Sequence, residues 1–187
     1  MSNEKDQKLN LPKTSIPMKA NLNQREPEFL KEWDKRNVYK KIRKNKKGKK
    51  AFHLHDGPPY ANGEIHLGHA VNKVLKDIII RSKSLEGFDS PYIPGWDCHG
   101  LPIEHQVEKK LGKKRKEISK SEFRDLCREY AKTQIKLQEK DFVRLGVFGD
   151  WKNRYASLDQ SFEGEAINAF SRICLLYTSP SPRDLVI

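Results

Sequence analysis

Two histidines three residues apart, His66 and His69, stand where a helix is expected to begin. The first turn of a helix carries N–H groups without intrahelical partners and the positive end of the dipole, so it attracts anions such as phosphate. Two imidazoles add side-chain donors at the same pole. Gly68 between them removes a side chain where a flat ligand could approach the backbone closely. The chemistry this constellation allows is phosphate or nucleotide binding. A His-x-x-His pair also reads as surface histidines or as half a metal site. For zinc, Cys98, His99 and His105 are the nearby candidates, and they make no closed tetrahedral set of familiar spacing. No metal ligand is expected in this chain.

The elements that must position this pair are legible on either side of it. Ala51 to His55 alternates and runs into Asp56-Gly57-Pro58-Pro59, which predicts a short strand ending in a turn. A helix is expected from His66 to Ser84, with Leu67, Val71, Val74, Leu75 and Ile78 as its buried stripe. His66, His69 and Lys73 fall on nearly the opposite face, away from that stripe. Gly87 ends the helix, and Pro91-Tyr92-Ile93 reads as a second strand leading into Pro94-Gly95-Trp96-Asp97-Cys98-His99-Gly100. A strand, a helix and a second strand make a βαβ unit whose right-handed crossover puts both strand ends on one edge. Ligands of open parallel sheets bind at that edge, so the loops 56–65 and 94–100 face one crevice. Asp97 taken alone reads as a turn-capping residue. Trp96 reads as packing, while His99 and Glu104 are open between support of the site and loop structure.

The flanks are simpler. Residues 1–24 are polar and broken by proline, the pattern of an extended arm, and Pro27 suits a helix start. Lys40 to Lys50 holds eight basic residues in eleven and reads as a solvated loop, or alternatively as a phosphate-backbone contact. Ser119 with Glu122 forms a capping box for a helix reaching Leu145 and stopped by Gly146, with Cys127 a core thiol, and a further helix is expected over 159–175.

Lys plus Arg outnumber Asp plus Glu by 37 to 25, a net charge of +12 that favours a polyanionic partner, nucleic acid before membrane. No apolar run is long enough to span a membrane, the N-terminus lacks the apolar core of a secretory signal, and three unpaired-looking cysteines fit a reducing compartment. The expected location is cytoplasmic.

The stretch PPYANGEIHLGH resembles the HIGH signature of class I aminoacyl-tRNA synthetases, with Leu67 at the usual isoleucine. DGPPYANG, NKVLKDII, SPYIPGWDCHGLPIE and KDFVRLGVFGDW, together with LPKTSIPMKANLNQREP near the start, resemble the bacterial isoleucyl enzymes in particular. The likeness covers about residues 8–173, and Cys98-His99 after Asp97 separates it from valyl and leucyl relatives. The resemblance implies an α/β fold: the first half of a Rossmann-like nucleotide-binding fold with parallel strands, preceded by a helical N-terminal arm. Its divisions would be 1–50 for the arm and first helix, 51–173 for the partial catalytic domain and 174–187 for a tail.

The activity so implied is ligation of isoleucine to tRNA(Ile) through isoleucyl-adenylate, with ATP and Mg2+ as the substrate complex, by an enzyme that is monomeric at full length. His66 and His69 would contact the ATP phosphates, Gly68 would flank the adenosine, and Asn62 would support a nucleotide loop that includes Pro59, Tyr60 and Gly63. Pro58 would line the isoleucine pocket and Asp97 would hold the substrate ammonium. Family members are several times longer. The second half of the fold, its lysine-rich phosphate loop, the editing domain, the anticodon-binding helices and a C-terminal zinc site are all expected outside this chain, which would be incomplete as a catalyst alone. Two other readings are a synthetase-derived RNA-binding module without catalysis and a valyl- or leucyl-type relative. From Cys174 the sequence CLLYTSPSPRDLVI departs from the pattern and resembles a translated adapter tail, with a natural disordered tail as the alternative.

Overall fold

The computed structural model describes residues 19–176. Residues 1–18 of the expected arm and 177–187 of the expected tail lie outside the described residues, while 174–176 of that tail continue the last helix. Among the described residues six α-helices frame a small parallel arrangement of extended segments: α1 (Leu22–Lys35), α2 (Val38–Lys46), α3 (Leu67–Leu85), α4 (Leu101–Leu111), α5 (Lys120–Arg144) and α6 (Gln160–Leu176). Two short strands, β1 (Gly95–Trp96) and β2 (Tyr155–Ala156), pair in parallel.

The strands expected at 51–55 and 91–93 do not form as ladders. Two isolated parallel bridges stand in their place, Ala51 with Asp89 and Tyr60 with Asp97. The segments 51–60, 89–97 and 155–156 therefore lie side by side and parallel, as the βαβ reading requires, but touch only at intervals. Proline is the reason. Pro58, Pro59, Pro91 and Pro94 have no N–H to give, so no continuous ladder can run through them. Gly95 permits the contact that does form, because a Cβ there would stand 2.0 Å from the Tyr155 ring.

Two buried clusters hold these segments. One gathers Ala61, Trp96, Cys98, Ile103, Ala131, Ile135, Phe142, Ala156 and Leu158, and the other joins Ile80, Tyr92 and Val147. α5 lays its buried stripe, from Phe123 to Phe142, beneath the first. Its start is the expected capping box: Ser119 Oγ accepts from Glu122 N at 3.2 Å, and Ser119 N donates to Glu122 Oε2 at 2.8 Å.

Several expectations are corrected. α1 begins at Leu22 with Pro27 in its interior, so residues 22–24 are helical and not an extended arm. The basic run from Lys40 is helical through Lys46, packed by Val38, Tyr39 and Ile42, and only its last residues form a loop. α3 is turned inside out relative to the periodicity reading. Its apolar stripe is open to solvent, with Leu67 79%, Leu75 54% and Ile78 56% exposed. Lys73, expected on the open face, is 2% exposed. What turns the helix is charge: Lys73 and Lys76 reach Asp56, while Asp77 accepts from Phe148 N at 2.8 Å and Arg81 stacks 3.7 Å above the Phe148 ring. A periodic pattern identifies an apolar face but not what covers it.

Candidate nucleotide and amino-acid site

The N-terminus of α3 is closed by its own histidines. His66 is the N-cap residue, and its Nδ1 accepts from Gly68 N at 3.1 Å. His69 answers one turn later, its Nδ1 accepting from His66 N at 3.2 Å. The two rings stack with centroids 3.9 Å apart and an interplanar angle of 28°. A backbone N–H can only donate, so both Nδ1 atoms must carry lone pairs, which leaves the proton of each neutral ring on Nε2. Burial, then the neighbouring His66 and Lys73, hold His69 below the usual histidine range. The pair thus offers two neutral Nε2–H donors at the positive end of a helix of 19 residues. Gly68 has a nearer purpose than clearing a path for ligand, since a Cβ there would meet the His66 ring at 2.9 Å.

The loop before α3 is tied to the loop after β1 by backbone. Asp97 N donates to Pro59 O at 2.9 Å and Ala61 N to Asp97 O at 2.8 Å. This pairing sets Pro59, Tyr60 and Asp97 side by side. Tyr60 and Pro58 are exposed, while Ala61 beneath them is fully buried. The Asp97 carboxylate accepts from His99 N at 3.3 Å, the local turn that a lone aspartate predicts. That contact occupies one oxygen of a half-buried group. His99 sits as loop structure, with Nε2 3.0 Å from Ser157 O, and Glu104 is exposed in the first turn of α4.

α5 supports both loops from below. Tyr130 Oη donates to Asn62 Oδ1 at 3.1 Å. Gln138 Nε2 donates to Tyr60 O at 3.1 Å and to Gly63 O at 3.0 Å, and Gln138 Oε1 accepts from Trp96 Nε1 at 2.9 Å. Gly63 takes φ +74°, a left-handed turn that delivers its carbonyl and suits glycine. Trp96 is fully buried, the packing role expected of it.

A charged hub underlies the turn at Gly57. Asp56 is 2% exposed and accepts from Lys73 Nζ at 2.6 Å, from Gly95 N at 3.2 Å and from Lys76. Burial by itself raises the Asp56 carboxyl, but Lys73 and Lys76 outweigh it and hold it below the usual carboxylate range. Lys73 also donates to Tyr92 Oη at 2.8 Å and lies 5.3 Å from the centre of the Phe142 ring. Tyr155 Oη donates to the Asp56 carbonyl at 3.2 Å. Asp56 and Lys73 escaped the sequence reading because each looked polar and therefore external. Gln138 left one usable signal, a polar residue inside the apolar stripe of α5.

Of the expected site residues, the structure joins His66, Gly68 and His69 through the helix cap, and Pro59, Tyr60, Asn62, Gly63 and Asp97 through backbone pairing and α5. Pro58 lies at the exposed turn beside Gly57, whose carbonyl is 3.4 Å from Lys76 Nζ. A cleft of about 650 Å3 lies elsewhere, between α1, α2 and residues 146–153. Among the described residues no group of three His, Cys, Asp or Glu side chains could hold a metal ion, and no helix is long and apolar enough to cross a membrane.

Three comparisons bear on this arrangement. An isoleucine–tRNA ligase of Methylococcus capsulatus (strain Bath) is 59% identical over 165 residues, covering 88% of this chain and 18% of its own. One from Haemophilus influenzae is 61% identical over 165 residues, and one from Vibrio campbellii 59% over 173, each again covered over 18% of its length. The chain thus spans about a fifth of the length of the curated relatives it matches. Among solved structures, the ternary complex of Agrobacterium radiobacter K84 agnB2 LeuRS with tRNA and LeuAMS superposes with a TM-score of 0.63 over 82% of this chain and 18% of that one, at 20% identity. That likeness extends to the fold alone and agrees with a Rossmann-like α/β arrangement. Residues 28–177 match the family model for tRNA synthetases class I (I, L, M and V). With most of its length inside that match, and the histidine-capped helix and its paired loops within it, the chain belongs to the class I tRNA synthetases.

Proposed function

We propose that this chain supplies the ATP-phosphate side and the amino-acid side of an isoleucine-activating crevice, as part of a longer isoleucine–tRNA ligase that charges tRNA(Ile). The observation that carries this reading is the reciprocal histidine cap, which leaves two Nε2–H donors at the α3 N-terminus while the adjoining loop is pinned to Asp97. The name shared by relatives about 60% identical supports isoleucine as the amino acid.

In this reading the isoleucine carboxylate attacks the α-phosphorus of MgATP. One P–O bond forms, the P–O bond to the β-phosphate breaks, and pyrophosphate leaves with its electron pair. No side-chain nucleophile is required. The protein supplies in-line positioning and donors for the charge that develops on the phosphates. His66 and His69 would donate through Nε2, Gly68 would let adenosine lie near the backbone, and Asn62, Pro59, Tyr60 and Gly63 would shape the nucleotide loop. Pro58 would face the aliphatic side chain, and the free oxygen of Asp97 would take the ammonium.

Titration of the chain with MgATP tests the phosphate side. Saturable binding that is lost when His66 and His69 are both replaced by alanine is the expected result, and binding indifferent to both would sink it. Isoleucine-dependent exchange of pyrophosphate into ATP, measured on the longer protein, tests the complete activity.

A second reading has its own observation. Lys40, Lys41, Lys44, Lys46, Lys47, Lys49 and Lys50 pair with no carboxylate among the described residues, whereas Arg43 pairs with Asp89. An RNA-binding module without catalysis would use this run together with the basic run 113–116. RNA binding that weakens steeply with salt, in the absence of any ATP binding, would favour it.

A further inference from the structure

Among the described residues, Gln138 is a side chain from outside both substrate loops that bonds each of them, and its chemistry leaves it a single orientation. The Trp96 indole N–H can only donate, so it must meet the amide oxygen, which turns both amide hydrogens toward the carbonyls of Tyr60 and Gly63. All three contacts fall within 2.9–3.1 Å, and the residue is 0% exposed. Its partners are well placed for a gauge. Tyr60 and Gly63 bracket Ala61 and Asn62 of the first loop, and Trp96 directly precedes Asp97 of the second. Between them run the two backbone bonds that join the loops, Ala61 N to Asp97 O and Asp97 N to Pro59 O. A rigid five-atom amide anchored on a long helix therefore sets the distance between the loops from below.

We propose that Gln138 is a positioning residue that fixes the spacing of the loop 57–63 against the loop 95–99, and so the spacing of the ATP and amino-acid halves of the crevice. This rests on the reading of the crevice given above. The residue touches no substrate and acts through the carbonyls of Tyr60 and Gly63 and the Trp96 ring.

Amide hydrogen exchange of the chain, wild type against Gln138→Met and Gln138→Glu, tests it. Methionine keeps the volume and removes every polar contact. Glutamate keeps the acceptor for Trp96 but sets an oxygen against two carbonyls. The expected result for both is exchange at Ala61 and Asp97 faster by about tenfold or more, with the α3 amides near Ile80 unchanged. The Trp96 indole N–H resonance should shift upfield in Gln138→Met and stay near its wild-type position in Gln138→Glu. Unchanged protection at Ala61 and Asp97 in a folded variant overturns the proposal, as does equal loss of protection across both clusters, which marks a purely structural residue. Should Gln138→Met fail to fold, Gln138→Glu carries the same test. MgATP titration of the wild type runs alongside. A wild type that binds no ATP counts against the proposed function, while the exchange result still decides whether Gln138 couples the loops.

Discussion

Each histidine at the start of α3 uses Nδ1 to finish a helix and leaves Nε2 outside the cap, so capping and the proposed phosphate contact can be separated by substitution. Asparagine is a good N-cap, but its shorter amide cannot place an N–H donor where the histidine Nε2–H lies. His66→Asn should therefore keep urea stability within about 0.5 kcal/mol of wild type, while MgATP binding by isothermal titration weakens about tenfold or more. His66→Ala should lose both, with about 1 kcal/mol of stability gone with the cap. The same geometry fixes a pH response. His69 is held below the usual histidine range, so what its cap contributes is present above that range and lost as pH falls through the lowered value. Ring titration by NMR should find His69 protonating at a lower pH than a free histidine, together with fraying of the first turn of α3. At this scale the sequence was informative, because helix-start chemistry is local. The capping bonds of the two histidines and the reason for Gly68 were hidden, since both depend on where the rings fold.

The middle segment, 89–97, is gripped from both sides and below, and its charged anchor is Asp56. Removing that charge leaves Lys73 buried without its counter-ion, a loss of about 3–5 kcal/mol. Asp56→Asn should therefore unfold at far lower urea than wild type at neutral pH. Because the Asp56 carboxyl lies below its usual range when folded, its stabilisation is full above that range and fades as pH drops through the lowered value. The urea midpoints of wild type and Asp56→Asn should accordingly converge as pH falls below the usual carboxylate range. Helix starts and stops were legible here, as at Ser119 and Gly146, because caps announce themselves within a few residues. The rotation of α3 was not. It depends on Lys73 finding Asp56, 17 residues away, and on Arg81 finding Gly146 O, 65 residues away. The strands were misplaced for a similar reason, since Gly95 and Tyr155 meet only in the folded chain.

Across the molecule, α3 and α6 each present apolar side chains outward. Val71, Leu75 and Ile78 on α3, and Ile167 and Phe170 on α6, are each half exposed or more. Surfaces of this kind mark places where more protein is bound or where chains stick. The isolated chain should bind a hydrophobic dye and self-associate in sedimentation. Leu75→Glu with Ile78→Lys should reduce both without lowering the thermal midpoint, since neither side chain is buried here. The closeness of Gly95 to Tyr155 reaches furthest of all. Neither residue can change freely: Gly95→Ala drives a methyl into the phenol ring, at a cost of about 1–3 kcal/mol, while Tyr155 also bonds the Asp56 carbonyl. The two positions, 60 residues apart in sequence, are sterically coupled. In a library randomised at 95 and 155 and selected for soluble folding, larger residues at 95 should survive only beside smaller ones at 155, and lineages should cross between such pairs in double steps.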